Sequence, residues 1–286
     1  MLTDKNYGKH SAYSRYASQV VPTDPETWNY SIDPNLWPTI PTDNFRVLSL
    51  NCLRSPKTYY SNFVIANLVL SSKPDLVLFQ EISCFSSCRQ LVHFINTYHG
   101  SKLYEIQEGV QSFRNLSLVI LYKVDTLSAP IKTTLFSDLE GFRSFFPRLP
   151  LQLQLTHADF NVTVVDNHLV SHHYVDNTIM LEDSFEALGD YFNWSPSNEL
   201  LLCGGDFNHD TSGRLYTDYL SMFQIIYGSY RNSSDIILFH KDCYGPIIQS
   251  GFSQYFWDYK TYLNITKKDW QLYVSDHFPI ILDMPL

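Results

Sequence analysis

No stretch of this chain approaches the ~20 consecutive apolar residues that a membrane-spanning helix requires. Glycine is scarce, 11 in 286 residues, and the 14 prolines follow no period, which excludes a fibrous or low-complexity chain. Charge is sparse too: charged residues make up 17% against 44% hydrophobic, a balance that excludes a disordered polymer. Positive charge is in deficit, with 20 Lys and Arg against 29 Asp and Glu and a net charge of −9. That argues against a whole-surface electrostatic grip on nucleic acid, though not against a local basic groove. Cysteine usage builds no framework. The five (Cys52, Cys84, Cys88, Cys203 and Cys243) are odd in number. Only Cys84 and Cys88 lie close, with no second pair at zinc-ligand spacing, so free thiols in a reducing compartment are expected. Met1 to Val20 is polar and lacks the apolar stretch of a secretory signal, which gives the expectation of a cytoplasmic or otherwise intracellular protein.

With those classes set aside, 286 residues suit one large domain or two small ones, and either can bury a sizeable core. Residues 1–44 stand apart. They hold Pro22, Pro25, Pro34, Pro38 and Pro41 among Tyr7, Tyr13, Tyr16, Trp28, Tyr30 and Trp37. Proline removes a backbone donor and clashes with the preceding turn, so no long helix forms there. The aromatics point to an extension laid across the domain surface, a partly disordered leader being the other reading. Residues 45–286 are regular. Phe45–Asn51 and Leu76–Glu81 read as strands, the second a continuous apolar run ending in polar residues, as a strand buried on both faces does. Further strands are expected at 116–123, 149–156, 161–168, 199–203, 235–240 and 278–284, and helices at 63–71, 84–98 and 180–192. Buried strands with interspersed helices mean a layered α/β or α+β domain.

Each buried strand carries Asn, Asp, Glu or His at or near one end. Asn51 ends the first, Gln80-Glu81 the second and Asp166-Asn167-His168 a third. Asp206-Phe207-Asn208 follows Gly204-Gly205, Asp235 opens a late strand, and Ser275-Asp276-His277 precedes the last. Strand ends and the loops after them are where rigid scaffolds place reactive groups. Any one of these has an ordinary alternative: Asp206 as a turn cap, His168 as a core histidine, Asp235 as a plain strand start.

Taken in order, these pieces resemble the endonuclease/exonuclease/phosphatase superfamily, which includes deoxyribonuclease I. The matching segments are Leu48–Asn51, Leu78–Glu81, Asp166–Leu169, Gly204–Asn208, Ser234–Ile237 and Ser275–Pro279. The resemblance implies a four-layer sandwich of two mostly antiparallel sheets flanked by helices, with residues 45–286 as the catalytic domain. It implies a site in which Asn51, Glu81 and Asp276 hold Mg²⁺, or Mn²⁺ in its place. Asp206 would orient or deprotonate a water, and Asn208 would contact phosphate or approach the metal. Asp235 would fix the tautomer of His277, which would stabilise the pentavalent phosphorus. His168 would contact phosphate or protonate the leaving group. The residue types suit phosphodiester hydrolysis, which needs a hard cation, an activated water and stabilisation of the leaving oxygen.

Many relatives carry Asn where Asp166 stands; a carboxylate there changes the local charge and is a candidate ligand for a second cation. His172 and His173 follow soon after. Lys132, Arg143 and Arg148, or Arg54 and Lys57, are candidates to touch a phosphate backbone. The aromatic run Phe252–Tyr259 suits base stacking, a membrane interface or plain core. Three readings stay open: a nuclease, a phosphoesterase acting on a phospholipid head group or a phosphorylated small molecule, and a non-catalytic binding module on the same fold.

Overall fold

The structure is a computed structural model, which describes residues 44–54, 59–112, 116–135, 146, 148–158, 160–171, 175–193, 199–210, 213–224, 234–242, 253–256 and 266–285. The extension at 1–43, His172, His173, Arg143, Lys57, Cys243, Phe252 and Trp257–Tyr259 lie outside the described residues. The elements run β1 (Asn44–Asn51), α1 (Tyr59–Ser72), β2 (Leu76–Ile82), α2 (Phe85–His99), β3 (Tyr104–Glu108), β4 (Ser117–Lys123), β5 (Lys132–Leu135), β6 (Leu151–His157) and β7 (Phe160–His168). They continue with α3 (Val175–Phe192), β8 (Glu199–Asp206), α4 (Arg214–Tyr219), β9 (Phe223–Gln224), β10 (Asp235–His240), β11 (Ser253–Phe256), α5 (Lys267–Tyr273) and β12 (Ile280–Pro285). No described helix is long and apolar enough to cross a membrane.

The strands form two six-stranded sheets, ordered β11-β12-β1-β2-β4-β3 and β5-β6-β7-β8-β10-β9. Pairing is antiparallel except for β1 with β2 and β7 with β8, the two pairs joined by helical crossovers. Side chains alternate along each strand, so one row of every central strand faces the opposite sheet. Val47, Leu76, Leu78, Leu118 and Ile120 of the first sheet share a core with Leu153, Val164, Leu202 and Ile237 of the second. The other rows pack outward. Leu48, Leu50, Val77 and Phe79 meet Val64, Leu68, Leu91 and Trp270 from α1, α2 and α5. Helix α2 buries Cys88, Leu91, Val92 and Ile95, the spacing of one helical face, and ends at Gly100, whose φ of 81° closes the last turn. On the far side, Phe185, Leu188 and Phe192 of α3 belong to the core that covers the second sheet. The expected four-layer sandwich is present, and Cys52, Cys84, Cys88 and Cys203 are free thiols as expected.

The two ends of the inter-sheet core differ chemically. Near the start of β1, the buried Arg46 grips Asp283 of β12 through Nε at 2.5 Å and a second nitrogen at 2.8 Å, and donates to the Ser72 carbonyl at 2.6 Å. At the opposite end the inward rows turn polar, and neighbouring strands approach closely. Gly205 has φ of 126°, and a Cβ there would fall 2.0 Å from the Asn167 carbonyl oxygen of the neighbouring strand. Only glycine satisfies both demands. Gly205→Ala is expected to cost about 3 kcal/mol from strain and overlap. Calorimetry would show this as a clearly lowered Tm, and an unchanged Tm would contradict it.

Candidate active site

The polar end is assembled by register. In the first sheet Asn51 pairs alongside Gln80. In the second, His168 pairs with Asp206 and Asp206 with Asp235, which sets three chemistry-bearing residues side by side across β7, β8 and β10. Glu81 needs a further device. By strict alternation it would point with Val77 and Phe79 toward the helices. The β2–β4 ladder instead shifts register between Phe79 and Ile82, and Glu81 itself has φ of 58°. This bulge turns its carboxyl toward the other sheet. Leu53, Arg54 and Asn208 also have positive φ, so strain gathers where strands end at this site.

The side chains converge. Asn51 Nδ2 donates to Asp206 Oδ2 at 3.0 Å, and Asn51 Oδ1 accepts from Leu53 N at 3.0 Å. Asn208 N donates to Asp206 Oδ1 at 2.8 Å, while Asn208 Nδ2 donates to the Leu169 carbonyl at 2.8 Å. His277 Nδ1 donates to Asp235 Oδ2 at 2.7 Å; its Nε2 lies 3.9 Å from Asp206 and 3.7 Å from Asp276. His168 Nε2 sits 3.4 Å from Asp206 Oδ2 and 3.7 Å from Glu81 Oε1.

Electrostatics separates the two imidazoles. For His277, burial alone would lower the pKa. The hydrogen bond and charge of Asp235, with Asp206 and Asp276, outweigh it and raise the value to about 10. For His168, burial and then the charges of Arg148 and His277 push the pKa well below the ordinary 6.5. Its short distances to carboxylates are therefore contacts of a neutral ring. Burial also raises Glu81, with Arg148 opposing and Asp206 and Asp276 adding repulsion. Asp206 is raised by burial first and by Asp235 next, against the pull of His277. Carboxyls held up by burial and mutual repulsion mark a site short of positive charge.

That shortage fits a divalent cation. Glu81 and Asp276 offer hard oxygens, and Asn51 Oδ1 keeps a second lone pair beside the one given to Leu53. A second grouping, Asp206, Asp235 and His277, has ligand atoms within 4.8 Å of one another. Its members are already engaged, however: Asp235 Oδ2 with His277 Nδ1, and the two Asp206 oxygens with Asn51 and Asn208. It reads as an acid–imidazole pair rather than a cation cage.

Neither a known family model nor a curated protein matches the sequence. Solved structures do match. TDP2 from D. rerio, in a humanised form, has a TM-score of 0.62 at 12% identity, covering 86% of this chain and 100% of its own. The same protein complexed with a single-strand DNA product gives 0.59 at 12%, covering 85% and 99%. An endonuclease/exonuclease/phosphatase from Bacteroides vulgatus gives 0.60 at 11%, covering 85% and 99%. The mannosyl-6-phosphatase Bt3783 of Bacteroides thetaiotaomicron gives 0.54 at 14%, covering 85% and 100%. The chain has the endonuclease/exonuclease/phosphatase fold.

Within that endonuclease/exonuclease/phosphatase fold, all eight sequence-derived candidates lie at the same end of the sandwich. Asn51, Glu81, His168, Asp206, Asp235 and His277 interlock directly. Asn208 braces Asp206 through its backbone. Asp276 is the exposed member, its side chain 56% accessible. Asp166, the candidate ligand for a second cation, lies one layer below: it is fully buried, bonded to Gln80 at 2.7 Å, and its carboxyl is held well above the ordinary range by burial. Three further groups support the site, and sequence reasoning named Arg148 among them only as a candidate phosphate contact. Arg148 donates to the Leu169 carbonyl at 2.7 Å and sets its charge beside Glu81 and His168. Ser275 Oγ donates to the Asn51 carbonyl and accepts from His277 N at 3.0 Å. The buried Trp270 donates Nε1 to the His277 carbonyl at 2.8 Å. Of these only Arg148, in a basic stretch before a strand, left a signal.

The Asp235–His277 pair makes a pH prediction. A folded-state pKa raised from 6.5 to about 10 means the pair stabilises the fold fully below pH 6.5 and loses that contribution as pH rises toward 10. Asp235→Asn should bring the His277 titration, followed by imidazole NMR, down from about 10 toward 6.5. An unmoved titration would refute Asp235 as the cause of the raised value.

Proposed function

We propose that the protein is a divalent-metal-dependent phosphoesterase that hydrolyses phosphodiesters, with nucleic acid as its substrate. The observation that carries this reading is one arrangement: a charged imidazole paired with Asp235 and 3.9 Å from Asp206, with the Glu81 carboxyl held near the same aspartate through His168. Mg²⁺, or Mn²⁺ in its place, held by Glu81, Asn51 and Asp276, would neutralise charge developing on the phosphoryl oxygens. The chain's own groups do the rest. Asp206, with both oxygens positioned by Asn51 and Asn208, accepts the proton of the attacking water. Its raised pKa makes it a stronger base than an ordinary aspartate. His277 keeps its proton near neutrality and presents Nε2 as a charged donor to a phosphate oxygen, steadied by Asp235. Asn208, which braces Asp206 through its backbone N–H, would bring its side-chain amide to a phosphate oxygen. His168, neutral and 2% exposed, lies behind the carboxylates and fixes Glu81 relative to Asp206, so that it reaches substrate only at the floor of the site.

Likeness to a structure holding a single-strand DNA product supports nucleic acid, as does the Arg148 guanidinium beside the carboxylates. The net charge of −9 and the likeness to a mannosyl-6-phosphatase favour a second reading, a phosphorylated small molecule or a phospholipid head group. A panel decides between them: plasmid, single-stranded oligonucleotides, sphingomyelin vesicles and a chromogenic phosphoester, in Mg²⁺ and in EDTA. EDTA-sensitive cleavage of DNA or RNA is the expected result. Release of phosphocholine or inorganic phosphate without nicking would move the substrate to the second reading. No hydrolysis at all would leave a binding module. His277→Ala and Asp206→Asn should each lower kcat by about 10²–10⁴-fold, the range for a lost acid or base, with the fold retained. Near-normal rates in either would overturn these roles.

A further inference from the structure

Beneath the carboxylates lies a second polar layer that the chemistry above does not use. Ser49 and Asp166 stand on the inward rows of β1 and β7, one step deeper than Asn51 and His168, and the side chain of Gln80 on β2 reaches both; all three are buried to 1% exposure or less. Gln80 Nε2 donates to Asp166 Oδ1 at 2.7 Å and lies 3.3 Å from Ser49 Oγ and 3.2 Å from the Leu78 carbonyl. That bond joins the two sheets. It also leaves an imbalance, because Gln80 Oε1 and Asp166 Oδ2 are both buried and neither has a partner among the described residues. Two acceptor oxygens are orphaned on two residues already tied together.

An ionised carboxylate at this depth would cost several kcal/mol unless a cation faced it. The groups facing Asp166 are the neutral Gln80 amide from β2, the Cys203 thiol from β8, itself pushed up by burial, and the Asn167 amide of its own strand. A single proton on Oδ2 resolves both orphans. The acid O–H then donates to Gln80 Oε1 while Gln80 Nε2 donates to Oδ1, a closed ring of two hydrogen bonds between a carboxylic acid and an amide. We propose that Asp166 is held as the neutral acid, and that with Gln80 it forms a doubly hydrogen-bonded bridge between the two sheets that positions Glu81 and His168. Gln80 directly precedes Glu81, at the bulge where the β2–β4 ladder holds no register, and Asp166 lies two residues before His168 on the same strand face. The bridge supplies the tie that the interrupted ladder lacks there. Asp166 is a positioning residue and touches no substrate.

The positioning half rests on the phosphoesterase reading, but the proton does not, so the test has two arms. Infrared difference spectra of wild type minus Asp166→Asn at pH 7 should show the carbonyl band of a protonated, hydrogen-bonded carboxylic acid. Gln80→Met, which keeps the volume and removes both bonds, should shift that band to higher frequency. A carboxylate band in its place, or an acid band indifferent to Gln80→Met, would overturn the bridge. In the kinetic arm, Asp166→Asn should retain hydrolysis, because its amide can donate to Gln80 Oε1 and accept from Nε2. Asp166→Leu should lose about 10²-fold in kcat, the scale of a misplaced catalytic group. Full activity in Asp166→Leu would overturn the positioning role, as would equal losses in the Asn and Leu variants. Wild type inert on every substrate would instead defeat the phosphoesterase reading, while the infrared arm still decides the bridge.

Discussion

Glu81, Asp206, Asp235 and Asp276 meet where the inward rows of two sheets run out of apolar residues. Three of these carboxyls have side chains 16%, 2% and 8% exposed, and only Asp276 faces water freely. Like charges so placed repel, and burial raises the cost. Among the described residues, Arg148 and His277 are the cations set against them. Much of the local architecture follows from bringing these groups together. The bulge at Glu81 departs from the strand's alternation, Asn208 adopts a left-handed backbone, and Gly205 lets β8 press against β7 so that Asp206 reaches His168. Strain of this kind persists only where the surroundings over-determine it, and here two packed cores do so.

The same charge surplus accounts for the division between the imidazoles. His277 lies at the mouth, against three carboxylates, and is held protonated; His168 lies behind them, near two cations, and is held neutral. Two titratable groups of one type, pushed apart by their environments, can take different parts in acid–base chemistry at one pH. Asp166 extends the pattern downward. No described cation contributes to its environment, and the proposed bridge shares its proton with an amide.

Most of this was legible in the sequence for a specific physical reason. A central strand must be apolar on both faces, so the polar residues at its end stand out, and β1, β2, β7, β8 and β10 all announced themselves and their functional termini. The strands that sequence reading missed are β3, β5, β9 and β11, and these are the four sheet edges. Edge strands are short and half-exposed. Tyr-Glu-Ile-Gln-Glu, Lys-Thr-Thr-Leu and Phe-Gln carry no apolar run to betray them. The aromatic Ser253–Phe256 pairs with β12 as an edge strand, which spacing alone did not distinguish from a stacking surface. Asp166 was visible as a departure, but its burial beneath the site depends on strand pairing and sheet packing that a sequence pattern does not carry. Trp270 and Ser275 act on His277 through backbone atoms, and a sequence pattern carries no mark of such contacts.

The central claim is that this junction holds more negative charge than its own cations balance and is completed by a divalent ion bound at Glu81. The most direct measurement is the thermal shift produced by Mg²⁺, with matched ionic strength from a monovalent salt as reference, in the wild type and in Glu81→Gln. Binding to the folded state alone raises Tm by mass action. A saturable rise is expected in the wild type and is lost in Glu81→Gln. An equal rise in both proteins, or none in either, would contradict it.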